Sequence, residues 1–189
     1  MASALLRDED DQPFAPLALV QHRSWSALWQ LREHLVIRAR TAAAKRGRSY
    51  RDFRVGAAAL LSSARPEYLR SIGRTDHVIY TGANWKMGKD DRNTCAEQEI
   101  VAQVRQQEHL FPPRKIFALA IAGEAQDEPD RESGVFTPTL HPCSHCRRLL
   151  QQVSGMKPDT IIMTVSRSSD TMEVMTFAEL LSIHAVKPS

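Results

Sequence analysis

The fold turns on the segment Pro142-Cys143-Ser144-His145-Cys146, read together with Thr94-Cys95-Ala96-Glu97. In the first segment two thiols stand three residues apart, where a long loop gives way to a helical pattern. Both sulfurs can then face one point, and a helix N-terminus favours thiolate over thiol. Such a pair alone suits either zinc binding or dithiol redox chemistry. The second segment holds the remaining one of the chain's three cysteines, again at the start of a helical pattern that follows a strand and a loop. Two helices whose N-termini meet at one edge of a sheet would bring Cys95 to the Cys143/Cys146 pair. Three protein ligands with an open fourth position is how catalytic zinc is held, whereas closed structural sites take four. Glu97 would then stand close to the ion without binding it, placed to carry protons. The plainer readings are buried thiols, a structural zinc with His141 or His145 as fourth ligand, and Glu97 as a surface carboxylate of its helix.

Working outward, the hydrophobic periods fill in the frame. A helix is predicted over 24–45, where Leu28, Leu31, Leu35, Ala39 and Ala42 form one apolar stripe and Gly47 is placed to stop it. Strands are predicted over 55–62, 77–82, 115–122, 160–165 and 172–175. Helices are predicted over 95–107, 143–153 and 176–184. Strands alternating with helices point to an α/β sandwich whose sheet is at least partly parallel. Residues 1–23 lack a period and read as an N-terminal extension, leaving 24–189 as the domain. The stretches 63–76 and 123–142 are long for connections within one domain, which marks them as functional or mobile loops.

Composition narrows the class. Across 189 residues, 42% are hydrophobic, 25% charged and 6% aromatic, which excludes a disordered, collagen-like or disulfide-scaffold chain. The formal charge of +3 does not announce a nucleic-acid binder. The basic run 45–54 reads as cations near a helix C-terminus plus a solvated loop, and Trp25 and Trp29 as core or subunit-contact residues. No apolar run reaches the ~18–20 residues a membrane span requires. Acidic residues Asp8, Glu9, Asp10 and Asp11 argue against a signal peptide, so a cytoplasmic, reducing compartment is expected.

The paired motifs C-A-E and P-C-S-H-C resemble those of the zinc-dependent nucleoside deaminase superfamily, and within it the cytidine deaminase-like family with three cysteine ligands, which includes the blasticidin S deaminase relatives. Phe53-Arg54-Val55-Gly56-Ala57-Ala58 is similar to that family's F-x-V-G-A-A segment at its first strand, and Gly82-Ala83-Asn84 to its G-x-N turn. The resemblance spans roughly 28–181. It implies a three-layer α/β/α sandwich with a mixed five-stranded sheet. It also implies Zn2+ held by Cys95, Cys143 and Cys146, with zinc hydroxide as the nucleophile and Glu97 as the proton shuttle. The substrate would be a cytosine-type nucleoside or analogue that loses ammonia. By the same resemblance Phe53 walls the base, the Ala96 N–H meets the ring carbonyl and Asn84 holds a sugar hydroxyl. A homo-oligomer, tetramer or dimer, is implied as well.

Two positions depart from the family pattern. Asn84-Trp85-Lys86 stands where N-x-E is usual, so Lys86 replaces an acceptor with a cation suited to a carboxylate or phosphate. Trp85, in the same loop, is a candidate for the pocket wall. Gln98 occupies the position where many three-cysteine relatives carry Arg. Three thiolates and a hydroxide on zinc leave a formal charge of −2, and Arg147 is the candidate for neutralising it. A nucleotide, a blasticidin-like antibiotic or a polynucleotide base as substrate, and a catalytically silent zinc-binding homologue, stand as the alternatives.

Overall fold

A computed structural model describes residues 32–49, 52–62, 77–88, 93–108, 115–124, 129–130 and 132–185. The N-terminal extension, the first part of the predicted 24–45 helix with Trp25 and Trp29, and the 63–76 loop lie outside the described residues. From residue 32 a π-helical turn, Arg32–Val36, runs into helix α1, Ile37–Arg46. Gly47 ends α1, as the sequence predicts, with an ordinary φ of −56°, and donates its N–H to the Ala42 and Ala43 carbonyls.

The strands are β1 (Arg48–Ser49), β2 (Gly56–Ser62), β3 (His77–Ala83), β4 (Trp85–Lys86), β5 (Ile116–Ala122), β6 (Ile161–Val165) and β7 (Met172–Thr176). Helix α2 spans Ala96–Glu108, α3 Ser144–Gln151 and α4 Phe177–Ile183. Five strands form one mixed sheet in the order β3-β2-β5-β6-β7. The β5–β6 pair is parallel and the other neighbours are antiparallel. A parallel pair needs a crossover, and α3 lies within it. Strands β1 and β4 form a separate parallel pair.

Strand alternation divides the core in two. Ala57, Ala59 and Leu61 of β2 face Ile100, Val101 and Val104 of α2, Leu150 of α3 and Leu180 of α4. Ala58 and Leu60 face the other way, toward Leu35, Val36 and Ala39. The molecule is therefore a three-layer α/β/α sandwich, with α1 on one face and α2, α3 and α4 on the other. The sheet's alanines let helices come close, and two glycines permit the tightest approaches. A Cβ on Gly56 would lie 2.0 Å from the Ala39 carbonyl oxygen, and one on Gly82 would lie 2.2 Å from that of Ala96. Among the described residues no helix is long and apolar enough to cross a membrane.

Candidate metal centre

Cys95 directly precedes α2, and its backbone is fixed from both sides. Thr94 exchanges two backbone hydrogen bonds with Trp85, N to O and O to N, each 2.8 Å, tying the helix start to β4. The Cys95 N–H donates to Gln98 Oε1 at 2.6 Å, so Gln98 satisfies an amide at the helix N-terminus in the manner of the third-position residue of a capping box. One turn on, Glu99 Oε2 accepts the Ala83 N–H at 2.7 Å and its other oxygen pairs with Arg46. Gln103 donates to the Thr81 carbonyl at 2.9 Å. Helix α2 is thus pinned along β3, which sets where Cys95 and Glu97 stand.

Cys143 is the N-cap of α3, but its side chain makes no capping bond. Its sulfur is therefore left to its neighbours, and Cys146 follows in the first turn. The Sγ atoms of Cys95, Cys143 and Cys146 all lie within 4.8 Å of one another. The neighbouring Cys146 and Cys95 thiols hold Cys143 below the ordinary thiol range. The Cys143 neighbour, burial and the Glu97 charge push Cys146 and Cys95 upward. Three thiolates cannot coexist here without a cation. Zinc bonded to sulfur at about 2.3 Å in tetrahedral geometry would hold the sulfurs about 3.8 Å apart, so the donor set fits that ion.

No fourth protein ligand joins the cluster among the described residues. His145 is exposed. His141 is buried, with both ring nitrogens engaged: Nδ1 with His184 Nε2 at 2.9 Å and Nε2 with Glu173 Oε2 at 3.0 Å. This is the open, three-ligand arrangement.

Beside the thiols lies a small cleft, open to solvent, lined by Phe53, Val55, Asn84, Lys86, Cys95, Ala96, Glu97, Leu140, His141 and Cys143. Glu97 is 5% exposed. Burial pushes its carboxyl up to about 7, with the Cys143 charge acting in the same direction and Lys86 and its own backbone N–H opposing. Lys86 stands with its Nζ 5.5 Å from the centre of the Phe53 ring. Asn84 is buried and its amide is occupied with backbone: Oδ1 accepts from the Val55 N–H at 2.8 Å, and Nδ2 donates to the Phe53 carbonyl at 2.6 Å. It holds the 53–55 segment against β4.

Two sequence candidates stand outside the cleft. Trp85 is 54% exposed, because alternation along β4 turns it away while Asn84 and Lys86 face inward. Arg147 is buried, but its charge is already matched. It donates to Asp130 Oδ2 at 2.9 Å and Oδ1 at 3.2 Å, and to the Pro142 carbonyl at 2.7 Å. Of the described residues that line the cleft, Lys86 is the cation facing Glu97 and Cys143. Sequence reasoning did not single out Asp130, Ser133, Glu173 or His184, since none falls in a motif and each meets its partners only through the fold.

No family model matches the chain, and no curated protein matches it. Solved structures do. Cytidine deaminase from Burkholderia pseudomallei aligns with a TM-score of 0.52 at 21% identity, over 78% of this chain and 94% of that one. Cytidine deaminases from Mycobacterium leprae (TM-score 0.48, 22% identity, 79% and 95% coverage) and Mycobacterium tuberculosis (0.47, 22%, 79% and 92%) are also similar. The Burkholderia likeness agrees with the strand order and layers found here, and on that ground the chain has the cytidine deaminase-like α/β fold.

Proposed function

We propose that the chain is a zinc-dependent hydrolytic deaminase of a cytosine-type nucleoside or nucleoside analogue. The observation that carries this reading is the convergence of three thiols at two helix N-termini beside one buried carboxyl, Glu97, in a cleft open to solvent.

Cys95, Cys143 and Cys146 would hold the zinc, which when bound supplies the Lewis acidity that makes water nucleophilic near neutral pH. Everything else falls to side chains of the cleft. Glu97 accepts a proton from the attacking water and gives it to the ring nitrogen next to the amino-bearing carbon. It then carries the second proton to the departing amine. One carbon–oxygen bond forms, one carbon–nitrogen bond breaks, and ammonia leaves. A carboxyl whose affinity for a proton is raised toward neutrality by burial suits both transfers. Phe53 offers a flat apolar wall for the base, and the Ala96 N–H, at the start of α2, is the donor for a ring carbonyl. Lys86 supports a substrate with an acceptor or a negative charge at the sugar end.

The test is ammonia release from cytidine, deoxycytidine, their monophosphates and blasticidin-type nucleosides, run beside a metal assay. Stoichiometric zinc with turnover of one of these supports the reading. Zinc-free protein, or zinc-loaded protein inert on all of them, overturns it.

A further inference from the structure

The segment that carries Cys143 and Cys146 is enclosed by a closed ring of polar contacts. His141 Nδ1 meets His184 Nε2 at 2.9 Å, and His184 Nδ1 meets Ser133 Oγ at 2.9 Å. Ser133 Oγ donates to Asp130 Oδ1 at 2.9 Å, and Asp130 takes the two-pronged bond from Arg147. Arg147 then donates to the carbonyl of Pro142, which is bonded to His141 and closes the ring. His141 and Arg147 are both under 10% exposed, and His184 is 7% exposed.

Within the ring, Arg147 grips both peptides that flank Cys143. Its side chain holds the Pro142 carbonyl, and its backbone N–H donates to the Cys143 carbonyl at 2.9 Å. A turn of either peptide would swing the Cys143 sulfur. Asp130 in turn fixes the guanidinium, and is itself oriented by the backbone N–H groups of Glu132 (3.1 Å) and Ser133 (2.9 Å). The far side of the ring is braced on the sheet through His141, Glu173, Thr139 and Thr164.

We propose that Asp130 and Ser133 are positioning residues for the metal centre, acting through Arg147 and the Pro142–Cys143 peptides to fix the Cys143 and Cys146 sulfurs in ligating geometry. The inference rests on the reading that the three cysteines hold a metal. It assigns to Asp130 and Ser133, which lie outside every motif read from the sequence, a task at the metal centre. Partners that orient metal ligands are worth about 10–100-fold in metal affinity.

The experiment uses the full chain. Zinc affinity is read by competition with a chromogenic chelator, and ligand geometry by the visible ligand-field bands of the cobalt(II) form. Asp130→Ala is expected to weaken zinc about 10–100-fold and to shift the cobalt bands. Ser133→Ala, which cuts the ring at a hydroxyl and keeps the ion pair, is expected to do the same to a smaller degree. It decides the matter if Asp130→Ala does not fold. Glu132→Ala removes an exposed partner of Arg148 in the same loop, and is expected to leave both readouts unchanged. Wild-type zinc affinity and wild-type cobalt bands in Ser133→Ala and in any folded Asp130→Ala overturn the proposal, whatever their melting temperatures. Wild-type protein that binds neither metal overturns the metal reading itself, and this one with it.

Discussion

Arg147 and Asp130 face each other as a two-pronged ion pair, 2.9 and 3.2 Å, with the arginine side chain 6% and the aspartate 16% exposed. The guanidinium bonds hold the Asp130 carboxyl far below the usual carboxylate range. Removing one partner of such a pair strands a charge away from water, at a cost of about 3–5 kcal/mol. Asp130→Ala is therefore expected to lose about that much in chemical denaturation. Joining it to Arg147→Met, which removes the stranded charge, should restore part of the loss. Equal stability of the single and double variants would mean that Arg147 finds water in the absence of Asp130.

In the proposed reaction, Glu97 is the group on which turnover depends. Glu97→Gln keeps the shape and the buried amide-like contacts but cannot relay protons, so ammonia release is expected to fall about 10²–10⁴-fold. Zinc content should stay at the wild-type level, because Glu97 is outside the thiol cluster. Full turnover by this variant would end the proposed mechanism. Loss of zinc would make Glu97 a ligand instead.

Much of this was legible from residues alone, and the limits have a physical pattern. Strand and helix edges follow apolar period and punctuation, so the predicted 115–122 strand and 143–153 helix fall within two residues of Ile116–Ala122 and Ser144–Gln151. The thiol trio was legible because its members sit at helix starts in short local motifs. What surrounds it was not. Arg147 reads as a counter-charge from its place beside Cys146, yet its carboxylate partner lies 17 residues away in a loop without any period. His141 finds His184 across 43 residues and Glu173 across 32. Periodicity cannot report such pairs, because they exist only once the loop, β7 and α4 have docked. Gln98 is a middle case: its bond to the Cys95 N–H is local, and the capping spacing was there to be read.

Metal removal should destabilise the protein. Whatever binds only the folded chain stabilises it by mass action, by about 2.7 kcal/mol at a hundredfold the dissociation constant. For a chain of this length that corresponds to a melting temperature ~5–10 °C higher in the zinc form than in the chelated form. The gain should vanish in Cys143→Ala. An identical melting temperature with and without zinc would rule out the thiol cluster as a metal site.

Acid should destabilise the fold through His184. Burial, with the positive fields of Arg147 and His141, pushes this histidine down to about 4, against the smaller pull of Asp130 and Glu173. The unfolded chain, titrating near 6.5, then binds more protons than the folded one between about pH 4 and 6.5. The stability His184 contributes as a neutral ring is thus fully present above pH 6.5 and is lost as pH falls through 4. His184→Asn retains hydrogen-bonding capacity without titrating, and should flatten that part of the stability curve. An unchanged slope between pH 4 and 6.5 would assign the loss there to groups other than His184, and Asp130 is not among them, because its contribution fades only as pH falls below its ordinary carboxylate value.

Gly82 ties the sheet to the metal centre by its lack of a side chain. A Cβ there would stand 2.2 Å from the Ala96 carbonyl oxygen and 3.2 Å from Glu99 Cβ, and both neighbours belong to the first turn of α2. Backbone cannot yield as a flexible side chain can, so Gly82→Ala must push the helix start away from β3. That start carries Glu97 and directly follows Cys95, so the strain passes to the Glu97 carboxyl and one sulfur together. The expected result is about 1–3 kcal/mol of lost stability from overpacking, with weaker zinc binding and slower turnover. Gly88→Ala supplies the comparison, because a Cβ at that position meets nothing within 4 Å among the described residues and should leave all three quantities unchanged. If Gly82→Ala lowers stability while zinc affinity and turnover hold, α2 moves as a rigid piece without disturbing the cleft, and its registry on β3 is not what sets the site.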